Sequence, residues 1–220
     1  MSQENPVSIS RLILVPALIT LGVTILRLVG ELLDWSKLFF NPAPGGGAAI
    51  VGISWLPIIF GIYFAIKLVD SGERPASLGK AAGFTFLGLV VFVGGGVLFG
   101  MSEKGGYGLL VAGVALIIVG TLIPLAGWSR LAKVLLAYGY AARVPVAVLM
   151  IFAIHGNWGT HYDGAPPGFP EMAWLPKWFL IGFLPQMTIW IGFTVIVGSL
   201  LGIAAVAIAR RGKAAAPATS

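Results

Sequence analysis

Two arginines interrupt long apolar runs of this 220-residue sequence, and both are candidates for chemistry. A guanidinium at the centre of a membrane-spanning helix costs about 2.5–3.5 kcal/mol on insertion scales, so it persists where it binds or positions something. Arg27 stands near the far end of the first run, and Glu31 follows four residues later on the same helical face. That spacing suits a local ion pair with Arg27 reaching toward the lipid headgroups, or one side of an anion or substrate clamp. Arg143 lies near mid-depth of the fifth run, with no acid in its own segment. Pro145 frees a backbone carbonyl close by. That carbonyl, Glu31, Asp34, a lipid phosphate or a bound anion are the candidate partners of Arg143. Arg27, Glu31 and Arg143 are therefore the expected ligand- or ion-path residues.

The other polar concentration is a loop that begins at His155 and runs through Asn157, Trp158, Thr160, His161, Tyr162 and Asp163 to Pro166, Pro167 and Glu171. It holds both histidines of the chain. Two imidazoles and a carboxylate are a ligand type for zinc, copper or iron, and histidine also moves protons near neutral pH. The spacing from His155 to His161 follows no helical face and no familiar metal signature. The expectation is no metal, with His155, His161 and Asp163 as the set that would hold one. His155, His161, Tyr162 and Asp163 are the candidates for proton or substrate contact at a mouth. The plainer alternative is an ordered cap whose Trp and Tyr sit in the aromatic belt.

Other chemistries are excluded or left without support. Cysteine is absent, which removes iron–sulfur clusters, thiolate zinc sites, cysteine nucleophiles and disulfides. Two histidines within seven residues do not suit a transmembrane haem held between two helices, and the last crossing has no lysine for a retinal Schiff base. Nucleotide-binding P-loop, Gly-x-Ser-x-Gly and His-Glu-x-x-His motifs are missing. The identity of any cofactor stays open.

These residues must be positioned by a chain that is 58% hydrophobic and 10% charged, against roughly 25% charged in a soluble domain. The fold class expected is an all-α integral membrane protein with the lipid bilayer as its first partner. Crossing about 30 Å of hydrocarbon takes about 20 helical residues. Runs of that length cover 12–30, 48–69, 81–101, 107–128 and 131–154. The stretch 175–209 is too long for one crossing and reads as an interfacial or broken helix over 175–188, then a crossing over 189–209. Six transmembrane helices result, forming a single membrane domain over 1–213, capped by the 31–47 and 155–176 loops, with a disordered tail over 214–220.

Lysine and arginine set the orientation. Arg11, Lys67, Arg74, Lys80, Arg130, Lys133, Arg210, Arg211 and Lys213 fall on one side, against Lys37, Lys104 and Lys177 on the other. Both termini are expected in the cytoplasm, with the chain multi-pass in the cell (inner) membrane. The net charge of +6 is then a topology signal, and nucleic acid is not an expected partner. The first run is not expected to be a cleavable signal: it is long, carries Arg27, and is followed by Glu31 and Asp34 where a small-residue cleavage site belongs.

Thirty-one glycines suggest close helix packing. Gly96 with Gly100 and Gly198 with Gly202 are Gly-x-x-x-Gly pairs, and Gly108–Ala112 and Ala137–Ala141 share the spacing. They are expected to pack one bundle, or to form the seam of a homo-oligomer. Pro16, Pro57, Pro124, Pro145 and Pro185 interrupt the spans or their extensions, as in transporters built from broken helices. A faint repeat relates the first and last hairpins: Val15-Pro16 and Trp55-Leu56-Pro57 correspond to Val144-Pro145 and Trp174-Leu175-Pro176.

The leading functional expectation is binding or transport of a small solute or ion through the bundle. A second is a non-catalytic subunit or assembly factor of a larger membrane complex. A third, an enzyme acting on lipid or quinone at the outer leaflet, has less behind it. A polar cavity joining Arg143 to the 155–176 loop favours the first. A solid bundle with an apolar flank favours the second, and a lateral opening at the histidines the third.

Overall fold

A computed structural model describes residues 7–215 of the chain. It is all-helical, 76% helix, with no strand among the described residues. In order come α1 (Ile9–Leu32), α2 (Leu56–Asp70), α3 (Leu78–Gly105), α4 (Tyr107–Leu122) and α5 (Ser129–Gly156). A four-residue α6 (Trp174–Lys177) then leads through two π-helical stretches, Trp178–Phe183 and Gln186–Trp190, into α7 (Ile191–Ala215). The expected tail lies outside the described residues from 216 onward.

Five helices are long and apolar enough to cross a membrane: Ile9–Leu32, Leu78–Ser102, Tyr107–Ala126, Ser129–Gly156 and Trp174–Arg210. The expected second span is different. Its helix starts at Leu56 and has 15 residues, about 22 Å at the α-helical rise. The apolar stretch 48–55 that precedes it is irregular, because Gly45, Gly46, Gly47 and Ala48 all take positive φ and turn the chain. The loop between α1 and α2 therefore runs from residue 33 to 55, longer than the 31–47 cap the sequence suggests. The final run also differs from expectation. It is one 37-residue helical path, widened by π turns rather than split into two helices.

The N-terminal segment, the α2–α3 turn and the start of α5 meet at one end of the bundle. There Arg130 pairs with Glu73 and donates to the Val7 carbonyl, while the Val7 amide donates to Glu73. This is the terminal end; the opposite, capped end carries the 33–55 and 157–173 loops. A dry core fills the terminal half. Phe64, Leu68, Leu135 and Val195 are fully enclosed, and Phe60 and Phe64 each meet Tyr138 edge-on at 5.4 Å.

Glycines set the closest approaches. On α7, Gly198 and Gly202 pack inside the chain against Gly61 and Ala65 of α2, so this pair is an internal seam. The Gly96–Gly100 pair does not pack: a β-carbon at either position would meet nothing within 4 Å. The α3–α4 seam is carried instead by Gly88 opposite Gly120 and Gly95 opposite Gly113, with Ala81 opposite Gly127 just past α4. These steps are seven residues along both strands of the hairpin, a heptad spacing that keeps one face toward the partner. A search confined to four-residue spacing passes over it.

The two hairpins of the faint repeat share some geometry. α1 lies parallel to α5, α2 lies parallel to α7, and Trp-Leu-Pro stands at the start of the returning helix in both. Proline fits there because the first helical turn has no use for its missing donor.

Candidate functional site

α1 places Arg27 and Glu31 one turn apart at the capped end, facing inward. Arg27 is 7% exposed and does not reach for the headgroups. Its Nε donates to Glu31 Oε1 at 2.8 Å, and its Nη atoms donate to the carbonyls of Val51, Asn41 and Gly46. Those carbonyls belong to the irregular 33–55 loop, whose backbone is only partly paired within itself, through a short 3-10 turn at Pro44–Gly46 and a few turn hydrogen bonds. Non-helical backbone at membrane depth persists only where protein or cavity water satisfies it. Arg27 is the tie that holds this loop against α1.

Glu31 is not a partner of Arg143. Its fully buried carboxylate takes Arg27 on one side and, on the other, the His161 backbone amide at 2.9 Å and His161 Nδ1 at 2.6 and 2.8 Å. Next to it Tyr162 donates its hydroxyl to the Thr24 carbonyl at 3.2 Å. The 157–173 loop is thus pinned to α1 by two successive residues. Asp163 works within the loop, accepting from the amides of Gly159 and Thr160 and from the Thr160 hydroxyl. His155 belongs to the last turn of α5 and stands edge-on to Trp174, with ring centroids 5.2 Å apart. The three residues weighed as a metal set therefore point to three different partners. Among the described residues no group of three His, Cys, Asp or Glu is placed to hold a metal ion.

Burial holds the His161 imidazole below its ordinary pKa; the Glu31 carboxylate opposes that, while Arg27 adds to it. Burial likewise raises the Tyr162 phenol. For His161 the sign is as follows: a group depressed in the folded state adds stability above its unfolded value, near 6.5, and loses it as pH falls through the folded value. The groups facing it are Glu31, Arg27 and Asp163. Acidification below about 6.5 is therefore expected to loosen the 157–173 loop, read as faster amide exchange there. A His161→Gln variant should show a flatter pH profile, and an unchanged profile would remove His161 as the cause.

Arg143 occupies the middle of α5 and is 4% exposed. Its guanidinium carbon lies 4.6 Å from the Trp190 ring centroid, a cation–π contact. Its one hydrogen bond among the described residues runs from Nη1 to Gln186 Oε1 at 3.4 Å, and Nε has no partner. None of the carboxylates in the described ion pairs is bonded to it. Nor does it take the carbonyl freed by Pro145. Gln186 and Trp190 reach it because the second π-helical stretch, just after Pro185, sets both toward α5. The sequence marked Pro185 as a break; it did not mark its two neighbours as a site. The signal available was a glutamine inside an apolar crossing.

A cavity of about 570 Å³ joins these parts. It lies where the α3–α4 hairpin packs along α7 yet stands off α1 and α5. Arg143, Gln186 and Trp190 are at its deep side; Arg27, Gly46, Ser54, His161 and Tyr162 line it toward the capped end. Below Arg143 the dry core around Tyr138, Phe60 and Phe64 fills the bundle. The volume is within the roughly 300–1,000 Å³ range of small-molecule sites.

Comparisons with protein-family models, with curated proteins and with solved structures found no match to this chain.

Proposed function

We propose that this is a multi-pass inner-membrane protein that binds a small solute in a cavity open toward the outer face, as one step of its passage across the bilayer. The observation that carries this reading is the cavity itself, which links a mid-helix arginine to the capped end. The orientation follows from charge: Lys67, Arg74, Lys80, Arg130, Lys133 and Arg210 gather at the terminal end, which the positive-inside rule puts in the cytoplasm. In this reading α2 is the sixth crossing. Its short helix is completed by the 48–55 stretch, whose backbone borders the cavity at Gly52, Ile53 and Ser54 and is tied by Arg27 at Val51. The subunit reading would find its support in a solid bundle, and the cavity weighs against it.

The absence of native cysteine makes the test direct. A Ser54→Cys variant in intact cells is expected to react with a membrane-impermeant maleimide, whereas Leu135→Cys in the dry core is expected to stay unlabelled. Labelling of Ser54→Cys only in inverted vesicles would reverse the orientation, and no labelling from either side would remove the open cavity. Native mass measurement in mild detergent is then expected to find a small molecule on the wild type that is lost from Arg143→Leu. An equally loaded variant, inserted to the same level, would take Arg143 out of the site.

A further inference from the structure

We propose that Arg143, with Gln186 and the face of Trp190, receives the oxyanion of an amphiphilic ligand, a carboxylate or a phosphate, whose apolar body fills the rest of the cavity. This deepens the binding reading above and rests on it.

Three independent features point to that ligand class. First, charge: the ionisable cavity-lining side chains include Arg27, Arg143 and His161, and among the described residues no aspartate or glutamate lines the wall. Arg27 is already neutralised by Glu31, so among the described lining residues Arg143 is the arginine left for a guest. Second, geometry: Trp190 covers one face of the Arg143 guanidinium and Gln186 takes Nη1 at 3.4 Å, while Nε is buried without a partner. Arginine presents a planar fork of donors to an oxyanion, and a buried donor left unmatched is costly. A guest oxyanion would meet the fork from the cavity side, and a small turn of the guanidinium toward it would bring the enclosed Nε into use. Third, the walls: Val23, Phe99, Leu110, Val146, Leu180 and Leu184 make much of the remaining lining apolar, with Thr24, Ser54 and Ser102 among the polar side chains between them. A small inorganic anion alone would leave most of the roughly 570 Å³ facing water against apolar side chains.

A cation or a neutral sugar is a poor guest on the same grounds. The cation would meet Arg143 without a lining carboxylate among the described residues to offset it. The sugar would find polar partners on one part of the wall but would leave Val23, Phe99, Leu110, Val146, Leu180 and Leu184 facing its hydroxyls.

The test uses full-length protein in nanodiscs of zwitterionic lipid, with 2-bromododecanoate as the probe and tryptophan fluorescence as the readout. Bromine beside Trp190 is expected to quench the wild type, and Trp190→Phe should lose part of that quenching. Dodecanoate and dodecyl phosphate are expected to compete, with dodecanol and dodecyltrimethylammonium weaker by about tenfold or more, the difference expected for a charge-assisted contact. Arg143→Met should weaken the probe by about the same factor, and Arg143→Lys should restore part of it. Adding phosphatidylglycerol to the nanodisc separates the sources. Displacement of the probe by it identifies a membrane lipid as the guest, and displacement only by the free amphiphiles identifies a solute. Dodecanol competing as well as dodecanoate on the wild type would overturn the proposal without recourse to any variant. No quenching in protein whose Ser54→Cys form is labelled from outside would also overturn it, leaving the open cavity in place. Failure of that labelling would instead remove the binding reading beneath it.

Discussion

Replacing Glu31 by alanine is expected to destabilise the fold by about 3–5 kcal/mol, the cost of removing one partner from a buried charged group. Glu31 has a fully buried side chain that accepts from Arg27, from the His161 amide and from the His161 ring. Without it, the Arg27 charge keeps only backbone carbonyls, and the 157–173 loop loses one of its two ties to α1, keeping only that of Tyr162 to Thr24. Unfolding in detergent would read the loss, and proteolysis should show the loop cut first. Glu31→Gln keeps the shape and one acceptor, so it should fall between the wild type and alanine. Joint replacement of Arg27 and Glu31 by Met and Leu should cost less than the sum of the two single changes. A Glu31→Ala protein within about 1 kcal/mol of the wild type would show that water, not the loop, satisfies this carboxylate.

The second large effect belongs to Gly61. A β-carbon there would run into the backbone of Gly198 on α7, and the Gly61 carbonyl sits where a side chain on Gly202 would go. Neither obstacle is a flexible side chain that can turn aside. Gly61→Ala is expected to cost about 1–3 kcal/mol by overpacking, and Gly61→Leu to prevent α2 from docking on α7. Gly22 is the control. A β-carbon there meets nothing within 4 Å, so Gly22→Ala should be neutral or slightly stabilising through helix propensity. Thermal unfolding of the three variants in one detergent decides it. Equal behaviour of Gly61→Ala and Gly22→Ala would mean the α2–α7 seam opens without penalty.

Much of this architecture was legible from charge and hydropathy, because apolar runs of about 20 residues have few structures open to them in lipid. Arg27 and Arg143 stood out for the same reason: Arg27 is the one charge of its run, and Arg143 the one in the interior of the fifth, whose other charge, Lys133, stands at its start. What they touch was not legible. The Glu31–His161 contact joins residues 130 apart, and no local pattern announces it. The second span was placed too early because 48–55 is apolar, and only the positive φ values at 45–48 show that it turns instead of coiling. The π-helical turns are rare insertions within an α-helical path, and apart from Pro185 no residue type in this stretch marks where they fall. Gln186 therefore joined Arg143 without forewarning. The α3–α4 glycines were visible but were sought at the wrong interval.

The tie between α1 and the 157–173 loop also orders the protein's biogenesis. Arg27 and Glu31 neutralise each other within one helix, so α1 can leave the translocation machinery carrying no net charge in that turn. The carbonyls that Arg27 holds arrive next, within the following 24 residues of synthesis. His161 comes 130 residues after Glu31, once α5 has been made. Until then one side of the Glu31 carboxylate has no permanent occupant. The mouth of the cavity is consequently the last part of the capped end to be completed, and a chain arrested before residue 161 would insert its early helices yet leave that vestibule unsealed.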